Sequence, residues 1–256
     1  MSSSLGPPAE RRRVIDSLEL YASAIDSSDY VAALAPLIHS IVPEISHLLD
    51  VGAGGGQLGS ALADPALGWT AIEPSPTMRA RLARLPSKPH VIAAGWQDAA
   101  VEPQAHDTVL AATMPAFFDQ PEAFLARCQA WARRQVIWVV PAHAGPRGLC
   151  FAGCLPWEWH REDETPGIEI VLRGLPAGQR PHQAAFTDWT FTGIVPDIGE
   201  LAAYLADRLG WSAEDARRPQ LAAHLSREAS RQASPWGAGF RLDIARRSAV
   251  LIWGQQ

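Results

Sequence analysis

The stretch Ile45 to Ala63 constrains this chain more than any other. A short apolar run, Ile45 to Val51, gives way at once to Gly52-Ala53-Gly54-Gly55-Gly56, and helical spacing follows over Gln57 to Ala63. Such a sequence makes a buried strand, a tight turn and a helix. Glycine carries the largest entropic cost of folding, so a cluster of this density marks a place where backbone approaches something closely.

The same unit recurs along the chain. Strands are expected at Trp69 to Glu73, His90 to Ala94, Asp107 to Ala111 and Gln135 to Val140, with helices at Thr77 to Leu85 and Pro121 to Ala132. This β/α alternation predicts a parallel, doubly wound sheet whose strand ends and following loops gather ligand-binding groups. Two helices, residues 10–27 and 30–41, precede the first strand, with Asp29 placed to cap the second. Between Pro141 and Ala185 the pattern breaks into Gly, Pro, aromatic and charged residues, and only Ile168 to Leu172 reads as a strand. Regularity returns with a strand over Phe186 to Ile194, helices over Ile198 to Leu209 and near Ala213 to Gln232, and a closing strand shorter than the span Phe240 to Trp253. The expected organisation is one domain. Residues 1–44 form an N-terminal helical lid, 45–141 a cofactor-binding core, 142–185 an inserted substrate or cap region, and 186–256 complete the same sheet.

Composition narrows the chemistry. A net charge of -5 argues against a broad surface for nucleic acid or anionic lipid. Met1 to Ala9 is Ser/Pro-rich and runs into Arg11-Arg12-Arg13 with no apolar segment behind it, so neither a signal peptide nor a membrane anchor is expected and the cytoplasm is the expected compartment. Cys128, Cys150 and Cys154 are too unevenly spaced for a disulfide framework or a standard zinc site, and no metal is expected. The sequence contains no Asn and a single Lys, Lys88, which removes the phosphate-binding Gly-Lys-Ser/Thr loop.

Leu48-Leu49-Asp50-Val51-Gly52-Ala53-Gly54-Gly55-Gly56 resembles the first motif of class I S-adenosylmethionine-dependent methyltransferases, an acid followed by glycines at alternate positions. The resemblance implies a Rossmann-like, doubly wound, seven-stranded and mostly parallel sheet with an antiparallel last strand, S-adenosylmethionine as cofactor and S-adenosylhomocysteine as product. It assigns cofactor contacts to Asp50, Gly52, Ala53, Gly54 and Gly56. At the end of the second strand, Glu73, with Pro74 beside it, falls where the family places an acid that takes both ribose hydroxyls. After the third strand, Gly95-Trp96-Gln97-Asp98-Ala99 resembles the adenine loop; Asp98 takes the amino group and Trp96 or Gln97 covers the ring.

A rival reading overlaps the first motif, because Gly54-Gly55-Gly56-Gln57-Leu58-Gly59 also satisfies the dinucleotide pattern and would suit an NAD(P)-dependent oxidoreductase. The acid just before the glycines favours the first reading, since Asp50 would repel a pyrophosphate and attract a cationic amino group, and the oxidoreductase stays as the alternative. A second rival keeps the cofactor loop without turnover, as a regulatory protein.

The family places the end of the fourth strand near the methyl group, which assigns Thr113 and Met114 to the cofactor and Phe117 to the acceptor, although Met114, Phe117 and Phe118 at helical spacing serve equally as core. With no Asn, the Asn/Asp-Pro-Pro-Tyr/Phe signature of nucleic-acid and protein amide methylases is missing, which favours a small-molecule acceptor, aromatic or heterocyclic. His143 after the fifth strand is the candidate general base, or else a loop residue. Trp157, Trp159 and His160 offer flat faces and a polar group for the acceptor, or else pin a surface loop. Tyr21 and Tyr30 point inward if the N-terminal helices form a lid; those helices serve equally as a homodimer surface.

Overall fold

The computed structural model describes residues 15–113, 118–148, 150–234 and 237–254. Its centre is the parallel run predicted from the alternation. β1 (Leu48–Val51) pairs with β2 (Trp69–Ile72) and β4 (His106–Ala112), β2 with β3 (His90–Ile92), and β4 with β5 (Ala132–Pro141). Helices α3 (Gln57–Leu62), α4 (Pro76–Leu82) and α5 (Pro121–Trp131) carry the chain between these strands. Beyond β5 come β8 (Gly237–Gly254) and then β6 (Gln183–Val195), so the main path is β3-β2-β1-β4-β5-β8-β6, with an eighth strand pairing β8 off it, and the chain reverses direction across the sheet between β1 and β4. At such a switch the loops after the two strands part and leave a crevice at their carboxyl ends.

Side-chain period two divides the core between the faces of the sheet. Leu48, Leu110, Ile137 and Val139 face one apolar cluster, shared with α2 (Tyr30–Ile41) and α8 (Ile198–Arg208). Leu49, Val51, Val109, Val136 and Trp138 face the other, with Phe124 of α5 and with Trp253. Asp50, alternating with Leu49 and Val51, therefore projects to the α2 side. There α1 (Ser17–Ser27), capped by the Asp16 carboxylate, and α2 both pack along β6 (Gln183–Val195).

The second half departs from expectation in three places. Ile168 to Leu172 is not a strand but the middle of α7 (Gly167–Gly174). A short apolar run is ambiguous between buried strand and helix; here Pro166 fixes an N-terminus, only Val171 of the central residues is fully buried, and Glu169 faces Arg173 one turn on. The closing strand is longer than expected. β8 spans Gly237–Gly254 because it has neighbours along its whole length, β6 on one side, and on the other β5 for its C-terminal part and β7 (Ser230–Ser234) for its N-terminal part. β7 is the eighth strand where seven were expected. Its sequence, Ser-Arg-Gln-Ala-Ser, has no apolar face, so only backbone pairing defines it, and helix α9 ends earlier than expected (Arg217–Glu228). β8 runs antiparallel to both β5 and β6, the expected reversal of the last strand.

Candidate functional site

The glycine loop fills the carboxyl end of β1. Its first two amides, Gly52 and Ala53, donate to the Ile72 carbonyl at 2.8 and 3.1 Å, which ties the loop to the end of β2. Gly54 has φ +56° and no atom lies within 4 Å of where its Cβ would stand, so its open face borders the crevice. Gly59 in α3 answers a different need: a Cβ there would fall 2.3 Å from Asp50 Oδ2, so the helix backbone passes directly over that carboxylate.

Asp50 is only 3% exposed, and its carboxylate accepts no hydrogen bond and forms no ion pair among the described residues. Burial first, and the nearby Glu73 second, push its pKa up to about 7. A buried carboxylate without a partner is costly, and a cation in the crevice would relieve it.

Glu73 is equally buried, yet its oxygens have partners. Oε2 accepts from the Gly54 amide at 2.8 Å and Oε1 from the Ser75 amide at 2.7 Å. Each oxygen keeps a further lone pair, so the carboxylate both sets the loop conformation and retains capacity for a diol. Glu73→Gln puts an amide NH2, itself a donor, where one of these oxygens stands, facing a backbone donor. S-adenosylhomocysteine affinity measured by calorimetry is expected to fall by about 1–2 kcal/mol.

In the loop after β3, the Asp98 and Ala99 amides close a turn on the Gly95 carbonyl at 3.1 and 3.0 Å. Gln97 and Asp98 are exposed there. Trp96 instead turns inward, edge-on to Phe124 at 5.2 Å between centroids, and its buried indole N–H has no partner among the described residues. After β4, Thr113 has the left-handed φ of 55°, unusual for a β-branched residue, and its hydroxyl bonds the Tyr30 hydroxyl at 2.9 Å. Tyr30 is buried edge-on to Trp189 at 4.8 Å, and Tyr21 stacks on Phe191 at 5.9 Å. Burial raises the pKa of both tyrosines, with Tyr21 and Asp50 adding to the rise at Tyr30. Tyr30 therefore lies between Tyr21 and the acid of the glycine loop. Met114 and Phe117 lie outside the described residues.

His143 follows β5, and both its ring nitrogens are engaged. Arg246 Nη1 lies 2.7 Å from Nε2, and a guanidinium can only donate. The proton of the neutral imidazole is then on Nδ1, where it meets the Arg247 carbonyl at 3.0 Å. Burial and the Arg246 charge hold its pKa below the ordinary histidine value. Trp157, Trp159 and His160 form α6 (Trp157–His160) but do not share an environment. Trp157 is 55% exposed, Trp159 packs edge-on against Trp211 and His224, and the buried His160 ring accepts from the Glu162 amide through Nδ1. Trp159 and His160 border an open cavity of about 420 Å³ with Trp211 and Arg217. Among the described residues no group of three or more His, Cys, Asp and Glu is arranged to hold a metal, and no helix is long and apolar enough to cross a membrane.

Sequence reasoning passed over Arg246, although a signal was present: it falls on the period-two face that carries Leu242, Ile244, Ser248 and Val250, otherwise a core face.

A doubly wound sheet closed by an antiparallel strand, with a glycine loop and two buried acids at the ends of β1 and β2, is the fold of the class I S-adenosylmethionine-dependent methyltransferases. Residues 49–139 match the family model for a methyltransferase domain. The structure resembles that of a protein assigned as a type II methyltransferase from Anaeromyxobacter dehalogenans, with TM-score 0.51 and 18% identity over 86% of this chain and 94% of that one. It also resembles the MccD protein, with TM-score 0.50 and 11% identity over 89% of this chain and 97% of that one. No curated protein matches the sequence. Residues 49–139 thus carry a methyltransferase domain; the protein is a methyl-transferring enzyme and its cofactor is S-adenosylmethionine. The site fits that cofactor: Asp50 offers an unsatisfied buried charge, Gly54 an open face, and Glu73 spare acceptor capacity.

Proposed function

We propose that this enzyme methylates a small, ring-containing acceptor. The observation that carries the reading is the aromatic cluster joined to Thr113 through the Tyr30 hydroxyl, where Tyr30 meets Trp189 and Tyr21 stacks on Phe191. Flat rings of this kind hold a planar acceptor by face and edge contacts and exclude water around it. When bound, S-adenosylmethionine supplies a methyl group on a positively charged sulfur. In this reading Asp50 takes the cofactor's ammonium group, Glu73 its ribose, and Asp98 its adenine amino group. Helices α1 and α2 cover the crevice, and alignment with exclusion of water does most of the catalytic work. His143 has no free lone pair while Arg246 holds Nε2, so the acceptor loses its proton without help from that ring, or only after Arg246 has moved to another partner.

The test is incubation with methyl-labelled S-adenosylmethionine and a host extract separated by dialysis. Label is expected in the dialysable pool. Label confined to protein or nucleic acid would overturn the small-molecule assignment, and no label anywhere would favour a binding protein without turnover.

A further inference from the structure

The methyl-donor site leaves Arg246 unexplained. Its guanidinium cannot lose its proton, so placing it in the core face of β8 requires compensation. Among the described residues no carboxylate lies within ion-pair distance of it. Its one side-chain hydrogen bond is to the neutral His143 at 2.7 Å, and the Phe191 ring centroid is 6.0 Å away. The neighbouring thiols supply no charge, because burial pushes Cys150 and Cys154 each up to about 12. Tyr21 stays a neutral phenol for the same reason, and its hydroxyl makes no hydrogen bond among the described residues. The cation is nevertheless reachable. Arg246 is only half-buried, although the Gly153 backbone packs closely against its guanidinium, where a Cβ would stand 3.0 Å from Nη2. Phe191, which carries both Arg246 and the stacked Tyr21 ring, also meets Trp189 at 6.4 Å between centroids, and Trp189 meets Tyr30, whose hydroxyl bonds Thr113 at the methyl-donor crevice.

We propose that Arg246, with the Tyr21 hydroxyl beside it, binds a carboxylate of the methyl acceptor, which is therefore a small ring-containing carboxylic acid held through its carboxylate and methylated at another atom. This rests on the small-molecule reading above. Carboxylate and guanidinium pair through two parallel hydrogen bonds, which fixes orientation as well as affinity.

The dialysable pool is split on an anion exchanger at neutral pH, and each half is incubated with labelled S-adenosylmethionine. Label is expected from the retained half alone. The initial rate with that half at limiting concentration is expected to fall about tenfold or more in Arg246→Gln and to recover in part in Arg246→Lys. S-adenosylhomocysteine affinity should be unchanged in both variants, which certifies their fold. Independently, benzoate should raise the Tm of the wild-type protein with S-adenosylhomocysteine bound, benzamide should not, and the benzoate shift should vanish in Arg246→Gln. Label arising from the unretained half, a labelled product that is a methyl ester, or a benzoate shift that is absent or survives Arg246→Gln overturns the inference. No label from either half overturns the small-molecule reading instead.

Discussion

Replacing Asp50 with Asn is expected to change stability and cofactor affinity in opposite directions. In the folded protein the carboxyl is raised from 3.8 to about 7 by burial and by Glu73. A raised folded pKa means that the neutral form is favoured on folding. Its stabilising contribution is complete below the unfolded pKa and is lost as pH rises from about 4 to about 7. The free wild-type protein should accordingly lose Tm over that interval, and the part of the loss due to Asp50 should disappear in Asp50→Asn. Above pH 7 the variant should be the more stable of the two. Binding has the reverse sign under the proposed role of Asp50, in which the cofactor's ammonium group pairs with the ionised carboxylate. Wild-type affinity for S-adenosylhomocysteine should rise as pH climbs through about 7 and then level. Asp50→Asn should show a flatter profile and, at about pH 8, affinity weaker by about 1.5–3 kcal/mol, or roughly tenfold to 150-fold. Thermal melts and calorimetry across this range check both halves; a variant that binds as tightly as wild type overturns the role given to Asp50.

The second large effect is steric. Gly54→Val should abolish most cofactor binding, on the order of a hundredfold or more, while leaving a folded protein. No atom lies within 4 Å of the added Cβ, so the side chain enters the open crevice without displacing anything in the protein. The left-handed φ of +56° adds about 1–2 kcal/mol of backbone strain. Gly68→Val separates the two contributions. Gly68 has φ +67° and equally open surroundings, but it lies in the turn before β2, away from the loop. It should lose similar stability and keep its affinity for S-adenosylhomocysteine. Equal loss of binding in the two variants would show that strain, not occlusion, removed the cofactor.

What the sequence revealed follows from the range of the forces involved. β1, β2, β4 and β5 were legible because their buried stretches are apolar runs bounded by turn residues, β3 because it continues the β/α alternation although none of its residues is fully buried, and Asp50 with Gly54 declares itself within a few positions. β7 was not legible, since a polar strand held by backbone pairing to β8 leaves no side-chain pattern. The 168–172 run was misread because its helix is set by Pro166 and by tertiary burial of Val171, neither of which alters apolar content. The site shows the same division. Glu73 could be placed from its position at the end of β2, but its grip on the Gly54 amide is visible only in three dimensions. His143 read as a candidate base or a loop residue until β8, antiparallel beside β5, brought Arg246 and the Arg247 carbonyl onto its ring from 103 and 104 positions away.

The most direct measurement of the central claim, a glycine loop shaped for a cationic sulfonium cofactor and not for a pyrophosphate, is calorimetric titration of the wild-type protein with S-adenosylhomocysteine and, separately, with NAD. The expected result is saturable one-to-one binding of S-adenosylhomocysteine and no binding of NAD. Binding of NAD with no heat from S-adenosylhomocysteine would contradict it.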